Sequence, residues 1–118
     1  MIDLYLDDAR PRPQGFVLAR DVDECVELLR ASPVRVLSLD YDLGWNRPNG
    51  MEVVRYIVSE RTYPAVIYLH TSSASGRRLM YESLYANKPG HVRLYNHPVP
   101  DETLREIAEG KFRVENGG

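Results

Sequence analysis

Two groups of carboxylates mark where this 118-residue chain can do chemistry. Asp7-Asp8 ends the apolar run Ile2, Leu4, Tyr5, Leu6, and Asp40-Tyr41-Asp42 ends the run Val34, Val36, Leu37, Leu39, with Gly44 letting the backbone turn away. Acids gathered in one crevice repel one another and raise one another's pKa unless a cation neutralises them. Oxygen ligands suit a hard ion, Mg²⁺ or Mn²⁺, better than zinc, and such an ion recruits a phosphate oxygen. Asp7, Asp8 and Asp40 are the candidate metal ligands, with Asp42 a further ligand or a base.

A third stretch, His70-Thr71-Ser72-Ser73-Ala74-Ser75-Gly76-Arg77, offers hydroxyls and a helix start. Hydroxyls and unpaired amides at a helix N-terminus favour a phosphate, and an arginine can pair with it bidentately. Thr71, Ser72, Ser73, Arg77 and Arg10 are therefore candidate phosphate ligands, although serines before a helix also serve as ordinary caps. His70 and His97 are candidate proton donors or acceptors alongside Asp40 and Asp42. Tyr41 and Trp45 are expected to cover the pocket edge.

Positioning these groups requires strands that end together. The β-branched run Val34–Leu39 reads as a buried strand, and similar runs cover Ile2–Leu6, Phe16–Ala19, Ala65–Leu69 and His91–Tyr95. Helices are expected from a cap at Asp21, with Glu24 three residues on, to Arg30; from Gly50 to Arg61; from the serine-rich turn to Ala86; and from a cap at Asp101 to Glu109. Pro11, Pro13 and Gly15 shrink the first expected helix to a loop. Five strands alternating with helices predict a three-layer α/β fold, a parallel sheet of flavodoxin-like order 2-1-3-4-5. In that order the ends of strands one, three and four share the functional crevice, and strand five adds His97 at its rim.

Composition narrows the rest. The length suits one domain, read as residues 1–112 with a flexible tail at 113–118 and fraying at 115–118. Net charge −2 gives no bulk polybasic surface for nucleic-acid backbones. The single Cys25 excludes an internal disulfide and fits a reducing compartment. No apolar run reaches membrane-spanning length and the start lacks a signal-peptide pattern, so a cytoplasmic location without membrane association is expected.

At these residues the chain resembles the response-regulator receiver family, which carries an acid pair after strand one, an aspartate after strand three, Thr/Ser after strand four and Lys-Pro after strand five. Strand-end position favours Asp40 as the central acid, whereas the distance to the Gly50 helix favours Asp42. The segment HPVPDETL, residues 97–104, places His97 where the lysine belongs. The chain is more closely similar to the cyclic-phosphate processing receiver-like family, whose LDDxRxxPxGW, LDHDLG and HSxNPxGR motifs read here LDDARPRPQGF, LDYDLG and HTSSASGR. Tyr41, Thr71 and Ser73 depart from that pattern. The resemblance implies a receiver fold that acts as a Mg-dependent phosphoesterase on a nucleotide, a cyclic-phosphate small molecule or an RNA end. The rival expectations are a receiver phosphorylated on Asp40 or Asp42, and a degenerate receiver serving as a protein-interaction module.

Overall fold

The computed structural model describes residues 1–114. Its strands are β1 (Ile2–Leu6), β2 (Val17–Ala19), β3 (Val34–Leu39), β4 (Val66–Leu69) and β5 (Arg93–Tyr95). Its helices are α1 (Val22–Ala31), α2 (Gly50–Glu60), α3 (Ala74–Asn87) and α4 (Asp101–Ala108). The strands form one parallel sheet of order β2-β1-β3-β4-β5, the flavodoxin-like receiver architecture expected above. Among the described residues no helix lies between β1 and β2, as Pro11 and Pro13 predict.

Alternation along the strands divides the core in two. Leu4, Leu6, Leu37, Leu39, Ile67 and Leu69 face the layer of α1, α2 and α3, where Cys25, Leu29, Val53, Val54, Ile57, Met80 and Leu84 meet them. Tyr5, Val36, Val66 and Tyr68 face the opposite layer, which among the described residues holds α4 alone. Phe16, from the proline-rich connection, and Phe112 and Val114, after α4, pack against this second cluster where a further helix is missing. Residues 115–118, the expected frayed end, lie outside the described residues.

Helix ends follow the capping chemistry with one correction. Asp21 accepts from the amide of Glu24 at 2.9 Å, while Glu24 accepts from the amide of Arg20 at 2.7 Å. Asn49 caps α2 through the Met51 amide, and Ser73 caps α3 through the Gly76 amide. Asp101 does not cap α4: Pro100 holds the cap position without a side-chain bond, and Asp101 is the first helical residue. An acid there still favours the positive end of the helix. No helix among the described residues is long and apolar enough to cross a membrane.

Candidate functional site

Strand register assembles the site. Leu6 pairs with Leu39 and Leu39 with Leu69, so three strands end side by side. The pairing continues one step, with the Asp40 amide donating to the Leu6 carbonyl at 3.1 Å and the His70 amide to the Leu39 carbonyl at 2.9 Å. Asp7, Asp40 and His70 thus stand in one row, two residues beyond Tyr5, Ser38 and Tyr68. Each offers one ligand atom within 4.8 Å of the others, a group that could hold a metal ion.

Asp7 is only 1% exposed. Its Oδ1 accepts from the amides of Ala9 and Arg10, both at 2.9 Å, and its Oδ2 lies 3.0 Å from Nε2 of His70 and 3.8 Å from Nε of Arg10. Burial pushes its pKa up, but the Arg10 and Ala9 amides and His70 together hold it below the usual carboxylate value. His70 is 4% exposed, its Nδ1 lies 2.6 Å from Oγ of Ser38, and the ring stacks on Tyr5 at 4.3 Å. Burial drives its pKa down to about 4 against the opposing pull of Asp7, which leaves a neutral imidazole beside an ionised carboxylate. Both ring nitrogens are engaged inside the protein, so a substrate meets neither.

Asp40 behaves in the opposite way. Desolvation, with the negative charges of Asp7 and Asp8, pushes its carboxyl up, only partly offset by bonds from Thr71 and the Tyr41 amide. Asp8 and Asp42 are exposed, and with Asp40, Gly44, Trp45 and Ser72 they line an open cavity of about 430 Å³. Asp42 accepts from the Gly44 amide at 3.2 Å, and Gly44 turns at φ +114°, a conformation that suits glycine. A Cβ on Gly44 would stand 3.6 Å from Oδ2 of Asp8. Asp40 therefore occupies the central row and Asp42 the rim. With the nitrogens of His70 taken, the donors facing this cavity are carboxylate oxygens, the chemistry of a hard divalent cation.

The model of the cyclic-phosphate processing receiver domain family matches residues 2–86. The chain belongs to that family. No curated protein and no solved structure matches it. In this cyclic-phosphate processing receiver the matched segment carries all four acids, His70 and the start of α3, while His97 and α4 lie beyond it.

The candidate phosphate ligands do not all converge. Ser72 lines the acid cavity. Thr71 is buried, bonds Asp40 and accepts from the Ser73 amide at 3.1 Å, while Ser73 is occupied as the α3 cap. Arg77 lines a separate cavity with Ala74, Arg78, Tyr81, Glu82 and Asn96. Arg10 is exposed near Asp7, and its carbonyl accepts from Arg20 at 2.8 Å. His97 is exposed, donates from Nδ1 to the Pro98 carbonyl at 2.7 Å, and sets its ring near Tyr68 and Tyr95 rather than lining the acid cavity.

The two expected pocket covers part company as well. Trp45 is 93% exposed on the cavity rim. Tyr41, at the family's histidine position, turns onto α3 instead, where a Cβ on Gly76 would meet its ring at 2.2 Å. Asn49 donates to its hydroxyl at 3.1 Å. Ser38, Tyr5 and Arg20 carry no motif that marks a role in the sequence. Arg20 ties the proline-rich loop down by donating to the carbonyls of Asp7 and Arg10. A polar residue inside an apolar strand was the available signal for Ser38.

Proposed function

We propose that this receiver hydrolyses a cyclic phosphate ester, borne by a nucleotide or an RNA end, with Mg²⁺ or Mn²⁺ as its ion. The reading is carried by Asp8, Asp40 and Asp42 around one open cavity of about 430 Å³, backed by the buried Asp7. Membership of the cyclic-phosphate processing family supports the substrate class. The buried, reduced Cys25 accords with a cytoplasmic setting.

Asp8 and Asp40 would hold the ion, with Asp7 behind them. When bound, the ion supplies charge stabilisation to the phosphorus oxygens. Asp42, on the rim, is the base for a water that attacks phosphorus. The bond from phosphorus to one ring oxygen breaks, and that oxygen leaves as a hydroxyl, taking up through solvent the proton that Asp42 accepted from the water. One water is consumed and a phosphomonoester is formed. Ser72 and the N-terminal end of α3 hydrogen-bond the phosphate, and Trp45 offers a face on which a base stacks. His70 acts through Asp7 and does not touch the substrate.

Phosphorus NMR of a 2′,3′-cyclic nucleotide incubated with the protein and Mg²⁺ tests this. Conversion to a monoester, abolished by chelator and by Asp40→Asn, is expected; an unchanged cyclic resonance would contradict it.

A second reading, phosphoryl transfer to Asp40, is favoured by its central place beside Thr71. Its weakness is His97, which stands for the lysine and bonds Pro98. Beryllofluoride with Mg²⁺ would shift the amide spectrum around Asp40 if this reading holds, and leave it unchanged otherwise.

A further inference from the structure

Ser38 lies in the middle of β3, paired with Tyr5 on one side and Tyr68 on the other, and it has 0% exposure. Leaving a buried hydroxyl without a partner forfeits its hydrogen bond to water, so a serine here needs a bond. Its Oγ lies 2.6 Å from Nδ1 of His70, whose Nε2 lies 3.0 Å from Oδ2 of Asp7. An ionised carboxylate only accepts, so the hydrogen between them belongs to Nε2. Nδ1 of a neutral ring is then an acceptor, and the Ser38 hydroxyl supplies its donor.

We propose that Ser38 is a positioning residue of the acid site: its hydroxyl donates to Nδ1 of His70 and so fixes the ring, in the tautomer that Asp7 selects, with Nε2–H holding Asp7 in place. The inference rests on the reading of the acids as a cation site. Tyr5 stacks on the imidazole with 5° between the planes, which sets the plane of the ring, and the bond to Ser38 sets its rotation within that plane. The Nδ1–H tautomer would turn a bare lone pair toward the Asp7 carboxylate, losing one hydrogen bond and adding repulsion. Second-shell bonds of this kind set the orientation of metal ligands, and here a histidine orients a carboxylate.

The three residue types also compose a hydrolytic triad, but the arrangement excludes that role. The serine meets Nδ1, the aspartate meets Nε2, and Ser38 is closed to any substrate. Shortness matters too: on the strand between Tyr5 and His70, a serine leaves room for the two rings to meet above it.

Long-range ¹H–¹⁵N correlation spectra of the histidines in the full, metal-free chain test the proposal without any substitution. His70 is expected as the neutral Nε2–H tautomer near neutral pH; an Nδ1–H ring or an imidazolium would overturn it. In Ser38→Ala the His70 Nδ1 resonance should shift because its hydrogen-bond donor is lost, and the amide resonances of Ala9 and Arg10, which report on Asp7, should move. Mn²⁺ affinity should fall about tenfold, within the range for lost outer-shell support. Ser38→Ala with an unchanged His70 spectrum, or with full Mn²⁺ affinity, would refute the positioning role. Wild-type protein that binds no Mn²⁺ would instead sink the cation reading, and the His70 Nδ1 and Asp7 amide shifts would still decide whether Ser38 holds Asp7.

Discussion

Nε2 of His70 lies 3.0 Å from Oδ2 of Asp7 although the two residues are 63 positions apart in the chain. The contact spans β3, because Asp7 and His70 extend strands that flank it. It makes Asp7 a fixed, ionised base to the site, and the remaining acids inherit their properties from that fixed charge.

Acid should weaken the fold through this pair. The His70 pKa is pushed down to about 4, against about 6.5 in an unfolded chain. Between those values the unfolded chain takes up a proton that the folded one refuses, so stability is full above about pH 6.5 and falls toward about pH 4. The loss by about pH 5 is roughly 2 kcal/mol. Asp7, held low, gives up its own contribution at lower pH; Asp40, held high, works in the opposite sense because protonation relieves its repulsion. Urea unfolding of Asp40→Asn at about pH 7 and about pH 5 isolates the His70 effect, and equal midpoints would contradict a neutral buried imidazole.

Asp40→Asn should separate stability from binding. Removing a charge that Asp7 and Asp8 repel is expected to raise the melting temperature of the metal-free protein. The same change should weaken Mn²⁺ binding at least tenfold, or about 1.4 kcal/mol. A lower melting temperature with unaltered Mn²⁺ affinity would remove Asp40 from the centre of the cluster.

Gly76 lies in the first turn of α3, where alanine ordinarily gains about 1 kcal/mol over glycine. Here a Cβ would stand 2.2 Å from the Tyr41 ring, at the ring atom nearest the backbone. Gly76→Ala should therefore destabilise by about 1–3 kcal/mol, the range for overpacking. A rise in thermal stability would show that Tyr41 does not pack there.

Trp45 is the single tryptophan and lines the acid cavity. Paramagnetic Mn²⁺ should quench its emission saturably in the wild-type protein and lose that effect in Asp8→Asn. Equal quenching in both would place the ion away from Asp8.

Much of this was legible in the residues. Apolar runs interrupted by acids located the strand ends, and the order 2-1-3-4-5 brought Asp7, Asp40 and His70 together. The choice between Asp40 and Asp42 turned on register: Asp40 continues the β3 ladder, whereas Asp42 follows the turn that Gly44 completes. His97 holds the lysine's place in a motif, but its main-chain carbonyl pairs with the Leu69 amide while its ring goes to Pro98 and the tyrosines. Arg77 follows the serines closely in sequence, yet helical rotation after the Ser73 cap carries it to another cavity. Ser38 stands out in the sequence as a polar residue in an apolar strand, but its partner is set by strand pairing and is not legible there.

The most direct measurement is anomalous diffraction from a crystal soaked in Mn²⁺. The account predicts one strong peak between the carboxylates of Asp8 and Asp40, in front of Asp7, that disappears in Asp40→Asn. A bound ion elsewhere, with these carboxylates turned apart, would contradict it.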